Sequence, residues 1–600
     1  MRGFRPESGI VLWQQMFLKE TTVKRGERRY TYVQLVEGYR DESGRTRQRV
    51  VANLGRKERL KRSGQAEALA AAFARLDPPM AGTRREVGPL LLVRHFCCRL
   101  GLRAEVERLL PAPRRAELSV AEVIEALLCS RLCSPSPLYD VQGWASGTAL
   151  QELFGVPPQL LNDDRLGRAL EALAPEAEAL RGALALRASE RFGLSAARLH
   201  LDLTTLRVAG AYEASALVRK GWGADRRVAR QVRTLQASTP EGVALYLRPG
   251  AGDAAELAMI GEGLERLASL LRPGLVVADS ALGHIRSLCQ AERAGLRFLV
   301  PLRADTGFRE RFLEEVGREG LRPLRYASER EAKLPPGRRS RYRGALRDYE
   351  ITDPEGGERR RFRVAYIHSS EEEREVRAAR ERALAKATEA LERVRRGLGG
   401  RHYKTKAQVD KRIATILHDK IEGLVTVKTA TRAGRPTLSF ARDEAAIERA
   451  AATDGLYALA TNLPGRLSAT KLLRLYKQQW VVEQRHRDLK QTLKARPIFL
   501  HNDDRIAALV AVIGIALLVF GLIESELRKR LGKEEALPGL LGEGRAAKPT
   551  GRNILAAFQG LGLTYTRQGV VLDRLTGTQR RILDLLEIET PWPEQADLAA

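Results

Sequence analysis

The sequence predicts an α/β protein that opens with a small antiparallel meander followed by a helical region. Three observations predict it. Residues 16–55 alternate apolar and polar side chains, residues from about 57 to 195 carry Ala/Leu-rich faces at helical spacing, and from 196 onward short apolar runs alternate with helical pattern.

The meander reads from Tyr30, Tyr32, Gln34 and Val36 on alternate positions, with breaks at Lys24-Arg25-Gly26 and Glu42-Ser43-Gly44. In the helical stretch, Pro111, Pro135-Ser136-Pro137 and Pro157-Pro158 mark the breaks. Leu199–Leu206, Val243–Leu247, Leu275–Ala278 and Phe298–Pro301 read as strands, and Asp253–Leu271 as a helix. Residues 305–450 are the most charged part, with strands near Tyr342–Ile351 and Phe362–His368 and a long polar helix near Glu371–Leu398. Gly455–Thr461 returns to strand, two helices follow, and the last 70 or so residues read as a helical tail with Gly-rich links.

Lys and Arg total 102 against 74 Asp and Glu, a formal net charge of +28 over 600 residues. Such an excess attracts polyanions, nucleic acid above all, because each phosphate contact releases condensed counterions. Compositional drift toward Ala and Arg enriches arginine too, but does not create so large an imbalance. Five cysteines are too few for a disulfide framework, which fits a reducing cytoplasm. Cys97 and Cys98 are adjacent, Cys129 and Cys133 lie one turn apart, and no histidine stands at zinc spacing; all five read as small buried hydrophobes. Met1 to Arg5 lead into no apolar run, so no signal peptide is expected. The uncharged run Ile506–Ile523 just meets the length of a membrane span. Bounded by Arg505 and Glu524, with no second span elsewhere, it reads instead as a helix buried on all sides.

Three carboxylates stand out. Asp202 lies in the alternating strand Leu199–Leu206, followed by Thr204-Thr205. Asp279 ends the apolar run Leu275–Ala278, ahead of Ser280 and Gly283. A carboxylate at the end of a buried strand holds a hard cation at fixed depth, although Asp at a strand end also serves as a turn or cap residue. The third lies in 471–494, where Tyr476, Glu483 and Lys490 recur every seven residues. Seven helical steps turn about 700°, so the three stack along nearly one face, which Gln479 and Arg487 extend. A salt-bridged surface helix has the same spacing. His200 and His284 lie near the two aspartates and are secondary ligand candidates, while Asp253 reads as a helix cap.

These residues resemble the DDE transposases of bacterial insertion sequences, in the insertion-sequence-four superfamily. The third motif of that family runs Tyr, two residues, Arg, three residues, Glu, six residues, Lys. Tyr476, Glu483 and Lys490 match it in register, with Gln479 where the family has Arg. Asp202 with Thr204-Thr205 is similar to the first motif, and Asp279 with Gly283 to the second. Val50-Val51-Ala52-Asn53-Leu54-Gly55, the stretch Gly221–Arg227, and Asp454-Gly455 with Thr461-Asn462 are similar to one branch of the family.

The resemblance implies a ribonuclease-H-like catalytic domain interrupted by a largely β insertion. The expected organisation is a basic meander at 1–60, a helical DNA-binding region at 61–195, catalytic parts at 196–304 and 456–530, the insertion at 305–455, and a helical tail at 531–600. Asp202, Asp279 and Glu483 are then the catalytic metal ligands, holding Mg²⁺ with Mn²⁺ able to substitute. Tyr476 and Lys490 grip phosphate, and Arg487 replaces the arginine lost at Gln479. The implied partners are double-stranded DNA, as terminal inverted repeats and as target, and a second copy of the chain in a homodimeric DNA complex. No membrane is involved, and the protein is expected in the cytoplasm with the nucleoid. Some relatives stack an unpaired base on an aromatic in the insertion. This insertion has no Trp, leaving Tyr342, Tyr349 or Tyr403 for the role. A purely hydrolytic nuclease of the same fold and a catalytically inactive DNA-binding protein are the competing readings.

Overall fold

A computed structural model describes residues 16–25, 28–40, 46–57, 82–113, 116–210, 212–222, 227–418, 421–495, 498, 500–532 and 536–595. The turn residues Gly26 and Glu42-Ser43-Gly44, the helical reading of 58–81, and part of the stretch Gly221–Arg227 lie outside them. The chain forms two compact units, Met1–Thr83 with Thr564–Gly569, and Arg84–Leu563 with Val570–Ala600.

In the first unit, Met16–Arg25, Arg28–Arg40 and Thr46–Arg56 pair in order as an antiparallel sheet, as the alternation predicts. Register shifts at Val33/Gln34 and Leu35/Val36 interrupt the second pairing. The Arg56 guanidinium, at the end of the third strand, lies over the ring of Tyr30 on the second, 4.4 Å from its centroid.

The second unit is built on a ten-stranded mixed sheet. Its centre is Arg198–Arg207, paired in parallel with Leu275–Ala278, which pairs in parallel with Phe298–Pro301. On the other side Val228–Ser238 runs antiparallel to Arg198–Arg207, and Ala244–Ala251 antiparallel to it in turn. Helices Glu256–Leu270 and Ile285–Arg293 connect the parallel strands, as parallel pairing requires. The strand expectations hold to within a few residues at each end, but Val228–Ser238 and the short Arg219–Trp222 were not foreseen, and the expected helical tail also holds two strands, Gly562–Thr566 and Gly569–Leu572. The inward residues of Val228–Ser238 include Gln231, Thr234 and Gln236, fully buried polar groups that hide the usual apolar signal.

Beyond Phe298–Pro301 the structure departs from expectation. Leu456–Thr461 pairs antiparallel with it, and its other edge takes Arg359–Ser369, then Tyr342–Thr352. These two strands therefore extend the central sheet; they do not form a separate β insertion. Residues 370–451 are mainly helical, with Ser370–Arg396, Lys406–Ile416 and Glu444–Ala451 packed around one hairpin, Val425–Arg432 with Arg435–Arg442. The hairpin turns on Ala433 and Gly434, both at positive φ, a two-residue turn matched to strand twist. A bidentate ion pair buried between Arg380 and Asp454 (2.7 and 2.5 Å) fastens the long helix to the start of Leu456–Thr461.

The apolar run lies in the helix Asp503–Leu531, long and apolar enough by composition to cross a membrane, yet 94% buried over its most apolar window. Asn502 caps its first turn. Helices Leu90–Leu100, Val120–Cys133, Asp163–Leu173 and Ala177–Phe192 pack around it, with Gly551–Ala557, Gly577–Leu586 and strand Ala244–Ala251. At Gly521 a Cβ would stand 2.9 Å from the Gly242 carbonyl oxygen, so glycine permits the close approach of helix to loop. The helices expected as a DNA-binding region thus spend their apolar faces on this core. Cys97, Cys129 and Cys289 are buried and Cys133 partly so, while Cys98 is exposed, against expectation.

Candidate active site

The parallel register Leu201↔Ala278 sets the next residues side by side, Asp202 in the middle of its strand and Asp279 just past the end of its own. Asp202 is largely covered, at 15% side-chain exposure. Its Oδ1 accepts the Leu203 amide (2.8 Å) and its Oδ2 faces His486 Nδ1 (3.2 Å). Asp279 closes its own turn, Oδ1 accepting the Ala281 amide at 3.0 Å. The turn then passes so close to the next strand that a Cβ on Gly283 would meet the Pro301 carbonyl at 1.9 Å; only glycine fits.

Glu483 arrives on a helix clamped to the same strand. The expected continuous helix over 471–494 is in fact broken into Ala469–Tyr476, a 3₁₀ turn Lys477–Gln479, the helix Trp480–Arg487 and a π turn Asp488–Thr492. The seven-residue stacking therefore does not run along one regular helix face, and π turns of this kind recur at functional sites. Buried Gln479 donates through Nε2 to the Leu201 carbonyl (2.9 Å) and accepts through Oε1 from His200 Nδ1 (3.1 Å). Both ends of its amide are occupied, so it faces inward as an anchor, not outward as a phosphate donor. His486 is the second clamp. Glu483, between these two inward residues, is exposed; beyond them Arg487 is exposed and Lys490 half-buried.

Behind the helix, Arg485, at 2% exposure, donates to the Gly242 carbonyl (2.5 Å) and pairs with Asp488 (2.8 Å) and Glu524 (2.7 Å). Glu524 also pairs with Arg528 and accepts the Gly551 amide. The helix bearing Glu483 is thereby bolted to the apolar core helix.

The electrostatics tie the carboxylates together. Burial, then the charge on Asp202, with a smaller contribution from Glu483, pushes Asp279 up to about 6. Tyr476 is pushed up to about 12, by burial first and then by Asp279, Glu372, Glu483 and Asp202, so its hydroxyl stays protonated. Among the described residues no three His, Cys, Asp or Glu side chains converge closely enough to hold one ion between them. The site is a pair of adjacent carboxylates with a third set apart on the helix.

Other candidates fall away. Burial pulls His200 down to about 4, so it is a neutral partner of Gln479. His284 caps Ile285–Arg293, accepting the Arg286 amide. Asp253 does not cap Glu256–Leu270, whose cap residue is Ala255. Tyr342 and Tyr349 are buried, which removes both as stacking surfaces. Sequence reasoning missed His486 and the inward role of Gln479; the two lie seven residues apart on one face, but spacing alone does not say that this face meets the strand.

Comparison with known families now bears on this geometry. Residues 18–80 match the N-terminal domain of IS1634 family transposases, 83–184 a domain of unknown function (DUF4277), and 197–519 the transposase DDE domain. The last match covers more than half of the chain. The chain belongs to the DDE transposase family. No curated protein matches it. The DDE match begins at the strand of Asp202 and ends inside the apolar helix, so in this DNA transposase the core helix is partly a catalytic-domain element. It also spans the whole of 305–455, in keeping with strands that complete the central sheet.

Proposed function

We propose that this transposase cleaves and joins DNA at Asp202, Asp279 and Glu483, in a ribonuclease-H-like core, by cut-and-paste transposition. The observation that carries the reading is the adjacent Asp202–Asp279 pair with Glu483 clamped above it by Gln479 and His486. The sheet supports the fold assignment: three antiparallel strands led by Arg198–Arg207, then two parallel strands reached through helices, with the first carboxylate on the central strand.

The donor set fits a hard divalent cation. Burial first, and then the neighbouring Asp202 charge, raise the proton affinity of Asp279, a penalty on negative charge that a cation relieves. Asp202 and Asp279 together would hold one Mg²⁺, or Mn²⁺ in its place, and Asp202 or Glu483 would help hold a second. When bound, such ions supply Lewis-acid activation of the attacking oxygen and stabilise the leaving oxygen of an in-line displacement.

The protein's own groups do the rest. Tyr476, kept protonated, donates a hydrogen bond to a phosphate oxygen, while Arg487 and Lys490 neutralise phosphates beside the scissile bond. Gln479 holds the helix at its distance from the strand. The DNA partners are the element's terminal inverted repeats and its target, engaged by a homodimer. The test is a joining assay with purified protein, end DNA and a target plasmid in Mg²⁺. Joined product with a short target duplication is expected; cleavage without joining would assign a hydrolytic nuclease, and binding alone an inactive DNA-binding protein.

A further inference from the structure

Among the described residues three arginines are more than nine-tenths buried, Arg131, Arg380 and Arg485. Arg380 and Arg485 are paired with buried carboxylates. Arg131, at 7% exposure on the helix Val120–Cys133, has neither a side-chain hydrogen bond nor an ion pair among those residues. Burial alone pulls its guanidinium down, to about 10, with no carboxylate opposing the shift. An uncompensated buried cation is costly, and a folded protein retains one where an anion comes to it.

Arg131 lines a half-open cavity of about 290 Å³. The Ser136 Oγ on the same wall is buried without a hydrogen-bond partner among the described residues. Lys494 and Arg505 add positive charge, the latter held by Glu171 at 2.9 Å, against the single carboxylate of Asp163. The opposite wall is apolar, from Leu509 and Ile513 of the core helix. Lys494 adopts a left-handed backbone (φ 43°) just after the π turn that ends the Glu483 helix. An anionic end beside an apolar wall, in a volume of this size, matches a phosphate carrying an aromatic body.

We propose that this cavity binds one nucleotide unit, its phosphate on Arg131, Ser136 and Lys494 and its base against Leu509 and Ile513. That chemistry comes from two sources, a free mononucleotide or a nucleotide turned out of the bound DNA. The site rests on its own lining and not on the catalytic reading.

The experiment uses the full chain and its Arg131→Met and Lys494→Met variants. Thymidine monophosphate and inorganic phosphate are titrated calorimetrically, and end DNA carrying 2-aminopurine is followed by fluorescence. Thymidine monophosphate binding at least tenfold tighter than phosphate, lost at least tenfold in Arg131→Met and several-fold in Lys494→Met, identifies the free nucleotide. No free binding, but a 2-aminopurine signal that Arg131→Met abolishes, identifies the DNA nucleotide. Arg131→Met is expected to keep or raise the unfolding midpoint, since it removes an unpaired buried charge; if it fails to fold, Lys494→Met decides. The proposal is overturned if wild type gives neither signal, if the folded variant keeps both, or if phosphate alone binds as tightly as the nucleotide. A gel shift on the same samples separates failure of this site from failure of DNA binding altogether.

Discussion

His486 Nδ1 rests 3.2 Å from Asp202 Oδ2, so the helix that carries Glu483 touches the strand carboxylate it is meant to work with. With the Leu203 amide on the other oxygen, Asp202 is held in place before any ligand arrives. Asparagine at 202 keeps the size of the side chain and most of this framing. Asp202→Asn, Asp279→Asn and Glu483→Gln are each expected to abolish Mg²⁺-dependent cleavage of end DNA while leaving the gel shift intact. Double replacements are expected to add nothing further, since the groups act as one site. Wild-type cleavage by any single variant removes that residue from the set.

Asp279 carries a stability cost that Asn does not. Its folded pKa of about 6 lies above the ordinary carboxylate value of 3.8, so the penalty is absent below pH 4 and complete above pH 6. In the presence of EDTA, Asp279→Asn is expected to raise stability at pH 8 by roughly 1–3 kcal/mol, with the gain vanishing toward pH 4. Urea unfolding of both proteins across that range checks it. The same deprotonation is needed for cation binding, so cleavage by wild type falls as pH drops toward and below 6.

Family resemblance alone suggests that Gln479→Arg restores a phosphate contact. Its buried position predicts the reverse. An arginine there loses the Leu201 and His200 bonds and buries a charge, costing about 2–5 kcal/mol. Gln479→Ala is expected to cost about 1–3 kcal/mol by stranding the Leu201 carbonyl and the His200 ring. A lowered melting temperature together with slower cleavage is the expected pair of readouts; higher activity in Gln479→Arg would refute it.

Arg487 is exposed one turn beyond Glu483. Its replacement by Ala is expected to leave the melting temperature unchanged, weaken end-DNA binding, and reduce the salt dependence of binding by roughly one phosphate contact. Titrations at several salt concentrations measure the slope.

Arg485→Ala removes the bolt between the active-site helix and the core helix, leaving Asp488 and Glu524 short of a buried partner. A loss of about 3–5 kcal/mol is expected, with cleavage falling as the helix loosens. Arg485→Met fills the space and is expected to recover part of the stability but not the helix position.

The legible parts of the sequence were those whose signal is local. Asp202 and Asp279 were found because each ends or interrupts a strand with a clear pattern, and Glu483 because its neighbours recur at helical spacing. The strand Val228–Ser238 was missed because Gln231 bonds the Gly252 carbonyl inside the sheet, a partner far away in sequence. Gln479 was assigned outward because spacing says which residues share a face but not which face meets the protein. The extent of 305–455 was misjudged for a similar reason: whether Arg359–Ser369 joins the central sheet depends on Leu456–Thr461 having a free edge, which no local pattern records.

The central position of Asp503–Leu531 also sets an order of events during synthesis. The helices that pack around it end at Phe192 on one side of the chain, so 339 residues (531 − 192) must be added before their shared partner is complete. At ~5–20 residues per second this is roughly 17–68 s, during which their apolar faces have nothing native to cover them. All three carboxylates proposed for catalysis leave the ribosome before that helix does. A message cut short between residues 483 and 531 would therefore yield a chain that has these carboxylates and no core to hold them. Nascent-chain protease resistance is expected to rise only once residue 531 has cleared the exit tunnel. The helix that supports the active-site elements is thus made after the carboxylates it serves.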